Sequence, residues 1–579
     1  MNIDLSGIWS FCVDDGEVGE IQKWYQSSLP SSELMPVPAS YNDITQNRAL
    51  RDLVGVVWYQ NMVTPSQHWK GYDIVLHFGA VAHHATVFIN DIKVAHHKGG
   101  FLPFEVDITH LVSIEEAFRL SVKVDNRLDW SCLPPGEIKT ITSPDGSKQL
   151  QKQTIHFDFF NYAGIHRPVQ IQLLPKTRLQ TVLVHSELSS KKSGLLKYTA
   201  ILHGDAELEM DIVDEEGIIV ARQKGSEVSC SLDNITPWAP GKPYLYTLVF
   251  KIFKNGVLVD HYPITVGFRS VLISNDQFLI NHEPFYFKGF GKHEDSTLHG
   301  RGFDPVTLVK DMKLMAWIGA NSFRTSHYPY AEEVLDVCDR LGIVVIDECP
   351  AVGLWDHSAP VFGCGKVNHE TLQYHCDVMT DLIHRDQHHP CIVMWSIANE
   401  PAAWEKECRP YFEIIVQHTR TQDSYLPLCC VVNSDSKTDL IQDLFDVTTL
   451  NRYPGWYYDF GKIELIEENL IKDLTAMHDK YGKPIIITEY GADTISGFHA
   501  EPSLMFSEEY QCEFLDAYHK AYDRLPFVVG EHVWNFADFA TKQGITRPMG
   551  NKKGVFTRDR QPKASAHLMR KRWHNSLSP

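Results

Sequence analysis

Cys391-Ile392-Val393-Met394-Trp395-Ser396-Ile397-Ala398-Asn399-Glu400-Pro401 is the stretch on which the reading of this chain turns. Cys391 to Ile397 has too few polar positions for a half-exposed strand, and His389-Pro390 precedes it. Proline suits a strand start because it cannot donate to the ladder. A run buried on both faces is what a parallel strand requires. It ends abruptly on an amide, a carboxylate and a proline. A second run, Pro484-Ile485-Ile486-Ile487-Thr488-Glu489-Tyr490-Gly491, ends in the same way on Glu489. In a parallel barrel the C-terminal strand ends carry the chemistry. Two carboxylates in such places predict glycoside hydrolysis by a carboxylate pair. A single glutamate at a strand end would read as a salt bridge; two, one of them preceded by Asn399, favour catalysis.

Working outward, the alternation of strand and helix signals runs from Val271 onward. Phe287-Lys288-Gly289-Phe290-Gly291 is a short strand, and Asp304-Pro305 supplies an N-cap and a first-turn proline for a helix ending at Gly319. Strands follow at Ala320–Arg324, Ile343–Asp347, Cys391–Ile397, Leu428–Val432, Val447–Leu450, Ile485–Thr488 and Val528–Val533, with helical stretches between most of them. Eight strands predict a (β/α)8 TIM barrel over 271–579, with Glu400 on the fourth strand and Glu489 on the seventh, facing each other across the mouth. Glu400 is expected to be the acid/base, its pKa raised by its setting. Glu489 is expected to be the nucleophile, held ionised by donors such as Tyr453. Asn399 is placed to donate to a sugar 2-hydroxyl.

Residues 1–175 are short alternating segments, such as Ile74–Phe78, Ala85–Ile89 and Leu120–Val124, separated by turn residues. They predict an N-terminal β jelly roll. Asp158-Phe159-Phe160-Asn161-Tyr162 stands out there as a mixture of aromatic and polar groups that a plain strand does not need. Residues 176–270 predict an immunoglobulin-like β-sandwich with no chemistry of its own, bracing the other two domains.

The 579 residues are too many for one core, and 43% hydrophobic residues is an ordinary globular composition. A formal charge of −19 argues against nucleic acid. No run is long enough to span a bilayer, and the N-terminus has neither the basic nor the apolar region of a signal peptide. Twelve cysteines without paired short spacings read as buried thiols in a reducing compartment, so a cytoplasmic location is expected. The pairs His83-His84, His96-His97 and His388-His389 lack metal-site spacing, and no metal or other cofactor is expected.

Three barrel segments carry a family likeness: Ser396–Pro401, Asn321-Ser322-Phe323-Arg324-Thr325-Ser326-His327-Tyr328-Pro329 and Thr488–Thr494. With these the chain resembles glycoside hydrolase family 2. Trp534-Asn535-Phe536-Ala537-Asp538-Phe539 and Gly550-Asn551-Lys552-Lys553-Gly554 resemble, more narrowly, the family's glucuronide-cleaving branch. The likeness covers essentially the whole chain. It implies a retaining double displacement on terminal β-glucuronides of small-molecule or oligosaccharide kind, and a homotetramer. It also implies that Asn551 and Lys553, with Arg547 close by, recognise the C6 carboxylate, while Asp158 reaches a sugar hydroxyl and His327, Tyr457 and Trp534 touch the sugar. Each charge-assisted contact of this kind is worth about 1.5–3 kcal/mol net. Without the likeness, Lys552-Lys553 would read as a solvated surface pair.

Pro548 and Pro454 depart from the family pattern beside these contacts. The Val352–Asn368 loop, which carries Trp355 and Phe362, is short and predicts an open leaving-group side. β-Galacturonidase or β-galactosidase activity is the alternative within the family. A non-catalytic carbohydrate-binding protein is the alternative outside enzymes.

Overall fold

The computed structural model describes residues 1–146 and 149–575. The barrel closes through eight parallel strands: β1 (Phe287–Gly291), β2 (Ser322–Arg324), β3 (Val344–Glu348), β4 (Ile392–Asn399), β5 (Leu428–Val432), β6 (Thr448–Asn451), β7 (Ile485–Glu489) and β8 (Val528–Trp534). Register between β1 and β8 pairs Phe287 with Gly530 and Gly291 with Trp534, which seals the sheet. All eight residues of β4 are buried, as a strand wrapped by helices must be. The strand starts at Ile392 rather than Cys391, because Asp339 takes the Cys391 N–H before the ladder begins.

The helix after β1 (Pro305–Ile318) is capped by Asp304, whose carboxylate accepts from the Val306 and Thr307 N–H groups, and it ends at Gly319 with φ +88°. Between β5 and β6 the crossover is a single 3-10 turn, Gln442–Leu444, instead of a full helix. The chain freed there, 433–441, builds a wall on the mouth side.

Two sheets make the N-terminal domain. Six strands, including Val56–Val63, Phe118–Asp125 and His84–Ile89, face four, including Asp73–Phe78 and Val169–Leu174. Trp9, Tyr41, Tyr59 and Phe78 lie among the core residues between them. A hairpin, Gly136–Thr142 with Gln149–Ile155, leads straight into the aromatic segment that begins at His156. The second unit packs a three-stranded sheet (Arg178–Ser190, Ser193–His203, Glu227–Asp233) on a four-stranded one. Its Trp238 is fully buried, joins the barrel's apolar core and donates its indole N–H to the Asp339 carbonyl at 2.9 Å. Arg269 likewise donates to the Ile392 carbonyl. The sandwich therefore touches the bottom of β4, the end opposite Glu400.

All twelve cysteines are free. Eight are buried as the sequence predicts, but Cys364 is exposed, because the short loop that carries it turns outward. No described helix is long and apolar enough to cross a membrane.

Candidate active site

Both glutamates sit where the strands stop. Glu489 is the last residue of β7, and Glu400 follows β4 directly. Glu400 has φ +49°, the left-handed region, which costs a non-glycine residue roughly 1–2 kcal/mol and marks a position over-determined by its surroundings. Its backbone N–H is held by the Val431 carbonyl at 2.8 Å. Asn451, at the end of β6, donates to Glu400 Oε1 at 2.7 Å, and Asn433 donates to Oε2 at 3.1 Å. Burial raises the Glu400 pKa, and these two amides pull against it. That agrees in direction with an acid that must stay protonated.

Glu489 lies among cations and hydroxyls. Arg324 Nη2 donates to Oε1 at 2.6 Å, Tyr453 Oη donates to Oε2 at 2.7 Å, and His327 Nε2 is 3.7 Å away. Burial nevertheless raises the Glu489 pKa, against the pull of Arg324, His327 and Tyr453. The sequence points to Tyr453 as a donor but shows neither Arg324 nor the cost of burying the carboxylate, which works against the expected ionised form. Arg324 is itself fully buried and clamps a second carboxylate, Glu348 at the end of β3, at 2.7 and 2.8 Å. Burial works against Glu348 too, but Arg324 and His327 hold it below the usual range. His327 Nδ1 lies 2.7 Å from Glu348, and its ring stacks on Trp534 at 5.0 Å. Arg324 also reaches the Asn399 amide oxygen at 3.4 Å, and Asn451 bridges Asn399 to Glu400.

The second cluster comes from a long excursion after β8, residues 535–563. It is pinned by the antiparallel bridge Phe539↔Asn551 and by Lys563, which donates to Asp538 and to the Thr494 and Lys552 carbonyls. Lys553 is fully buried, as is Asn551. The Lys553 ammonium pairs with Asp493 and donates to Tyr457 Oη at 3.0 Å. It lies 4.8, 5.1 and 5.9 Å from the ring centres of Tyr457, Trp456 and Tyr453, an aromatic cage that favours a cation. Burial pushes Asp493 up, but Lys553 and Arg547 bring it below its ordinary value.

Asp158 arrives from the N-terminal domain. It accepts from Arg547 Nε at 2.8 Å and from Asn551 Nδ2 at 2.9 Å. The arm that carries it docks on the excursion through Phe160 N–H to the Ala540 carbonyl, 2.9 Å, and Lys542 to the Ile155 carbonyl, 2.7 Å. Tyr453 and Tyr457, 4.8 Å apart at the ring centres, link the two clusters into one cavity mouth.

The fold thus brings together all eleven residues singled out from the sequence: Asp158, His327, Asn399, Glu400, Tyr453, Tyr457, Glu489, Trp534, Arg547, Asn551 and Lys553. Five partners were missed: Arg324, Glu348, Asn433, Asn451 and Asp493. Arg324, Glu348 and Asn451 are the final residues of β2, β3 and β6. A charged or amide residue closing an apolar strand was the signal that found the two glutamates, and it applies equally to these three.

Phe362 of the short loop after β3 does not face the mouth; it is buried against Tyr411 and Phe412. His389, from one of the histidine pairs, lies 2.6 Å from Asp339, and with Asp336 it groups three potential ligand atoms within 4.8 Å of one another. Burial disfavours its charge, yet Asp339 raises its pKa to about 9, so the group holds together as an ion pair at the barrel bottom.

Comparison with known proteins places this architecture. The family model for the glycosyl hydrolases family 2 TIM barrel domain matches residues 271–576. Those for the glycosyl hydrolases family 2 sugar binding domain and for glycosyl hydrolases family 2 match 3–175 and 169–269. The chain belongs to glycoside hydrolase family 2. It is 47% identical to a β-glucuronidase of Paenibacillus borealis, covering 98% of this chain and 96% of that one. It is 42% identical to the human β-glucuronidase, covering 98% and 90%. A solved β-glucuronidase of Ruminococcus gnavus, in complex with D-glucaro 1,5-lactone, superposes with a TM-score of 0.94 at 37% identity, covering 99% and 97%.

Proposed function

We propose that this family 2 glycosidase hydrolyses terminal β-D-glucuronides to glucuronate and a free aglycone by a retaining double displacement. The observation that carries the reading is the caged Lys553, set with Asn551 and Arg547 beside the Glu489 cavity in a chain of net charge −19. A neutral sugar has no use for such a cluster. Of the three N–H bonds of an ammonium, Asp493 and Tyr457 take two. The third is assigned to the C6 carboxylate, which reaches the buried ammonium by displacing the exposed Tyr457 from over it, while Asp158, held by Arg547 and Asn551, offers its oxygens to a ring hydroxyl. That the R. gnavus relative binds D-glucaro 1,5-lactone, an oxidised sugar, supports the same acid preference.

Glu489 attacks the anomeric carbon while Glu400 gives its proton to the departing oxygen. The C–O bond to the aglycone breaks as the bond from carbon to Glu489 forms. Glu400, now a carboxylate, takes a proton from water, which displaces Glu489 with net retention. Arg324 favours the ionised form of Glu489, fixes its attacking geometry and orients Asn399 toward the 2-hydroxyl. A carboxyl separation of about 5–5.5 Å goes with this route. The free thiols support a cytoplasmic location, and the family likeness supports a homotetramer.

Hydrolysis of p-nitrophenyl β-D-glucuronide beside the matching glucoside, galactoside and galacturonide, with Glu489→Ala as control, tests the reading. Strong preference for the glucuronide, abolished in the variant, is the expected result. Equal or better turnover of a neutral sugar or of the galacturonide overturns the specificity.

A further inference from the structure

Beyond Glu400, away from Lys553, a cavity of about 730 Å³ opens to solvent. Asn433 lines it and donates to Glu400 Oε2, so the cavity begins one side chain from the proposed proton donor. Its walls come from the stretch just after Glu400, from the helix-free crossover after β5, from the loop after β6 and the helix Ile466–Tyr481 that follows it, and from His357 of the loop after β3. Two aromatic rings of its lining are strongly uncovered: Trp404 is 39% exposed and Tyr458 49%. Aromatic faces beside amides and carboxylates are suited to stacking on a sugar ring and bonding its hydroxyls.

The charge of this cavity is one-sided. Asp435, Asp459 and Asp473 line it, against a single guanidinium, Arg452. Arg452 is already committed: Nε goes to Asp473, Nη1 to the Asn451 carbonyl and Nη2 to the Ser434 carbonyl. Asp473 is thereby neutralised, and with Nη1 also donating to the Val432 carbonyl, four of the five Arg452 N–H groups are spent within the protein. Asp435 accepts only from its own turn, the N–H groups of Lys437 and Thr438 and the Thr438 hydroxyl. Asp459 accepts from the uncharged Asn469 at 3.0 Å. Neither forms an ion pair. The Thr438 hydroxyl foremost, with the nearby Lys437 charge, lowers the Asp435 pKa, so Asp435 is partly compensated. Asp459 is not, and the lining as a whole stays negative.

We propose that this cavity is the leaving-group site and that it takes polyhydroxylated, saccharide aglycones free of negative charge while rejecting sulfated or carboxylated ones. The proposal rests on the glucuronidase reading and extends it to the other side of the scissile bond. A single added anion within several ångströms of two carboxylates in a half-solvated cleft is repelled by enough to cost about tenfold in kcat/KM.

The test uses the full chain and three substrates: p-nitrophenyl β-D-glucuronide, a glucuronosyl-N-acetylhexosamine disaccharide, and that disaccharide with one sulfate on the hexosamine. The wild-type enzyme is expected to cleave the unsulfated disaccharide about tenfold better than the sulfated one. Asp435→Asn combined with Asp459→Asn is expected to cut that ratio to about twofold. Trp404→Ala is expected to raise KM for the unsulfated disaccharide several-fold more than for the aryl glucuronide. Equal cleavage of the two disaccharides by the wild type, a ratio unmoved by the aspartate variants, or an equal KM change for both substrates in Trp404→Ala each overturns the proposal. Failure of the wild type on p-nitrophenyl β-D-glucuronide would instead remove the glucuronidase reading itself, so the two failures are distinguishable.

Discussion

The two ends of the cavity differ in how they treat charge. At the Lys553 end the charges are paired, Lys553 with Asp493 in a buried aromatic cage and Arg547 with the half-buried Asp158, and Tyr457 is shared between the cations. At the Asp435 end, Asp435 and Asp459 are exposed and in no ion pair, and only Asp473 is paired, with Arg452. The first end is built to recognise one group in one place, since donors fixed in advance lose little entropy on binding. The second sets only a sign, and leaves shape to whatever enters. A site that demands a uronic acid yet tolerates varied partners needs both.

Three variants and one solvent change would break or sharpen that contrast. Glu489→Gln removes the chemistry itself; kcat should fall by about 10⁴-fold or more on glucuronide and glucoside alike, measured by initial rates. A fall on one sugar only would mean that the carboxylate serves recognition. Next, Lys553→Met combined with Asp493→Asn, which strands no buried carboxylate, should lower kcat/KM for the glucuronide roughly 10- to 150-fold and the glucoside far less. An equal loss on both would take Lys553 out of carboxylate recognition. Asn433→Ala is subtler. Its amide lowers the Glu400 pKa, so its loss should move the alkaline limb of the kcat/KM profile to higher pH, because the acid form persists further up the scale. A limb that moves down would show that Asn433 acts by excluding water. The smallest effect is ionic: raising salt past about 0.1 M, where the Debye length is about 10 Å, should relax discrimination against a sulfated aglycone and leave the glucuronide-to-glucoside ratio nearly unchanged.

The barrel was legible because each inner strand is a short apolar run with nothing else to be. Its boundaries moved by one or two residues, at the start of β4 where Asp339 captures the Cys391 N–H, and at C-terminal ends where polar residues such as Glu348, Asn399, Asn451 and Glu489 still belong to the strand. Glu400 and Glu489 were legible because polarity returns abruptly at a strand end. Arg324 has that same signature and was quoted without a role, because an arginine closing a three-residue strand looks like any surface cation until its 0% exposure is known. Asp158, Arg547, Asn551 and Lys553 lie on irregular chain, where no period announces burial; the aromatic and polar mixture marked the segment of Asp158, and family likeness alone singled out the other three. Asn433 and Asp435 had neither signal. Their importance depends on a helix being replaced by a single turn, and hydrophobic spacing registers the helix far better than its absence.

The grip of Arg547 and Asn551 on Asp158 joins a residue from the first third of the chain to others near its close. The sugar site is therefore a property of the seam between two domains: it exists only while the N-terminal arm is docked on the barrel, so any loosening of that seam is felt as a loss of substrate recognition before the barrel itself yields.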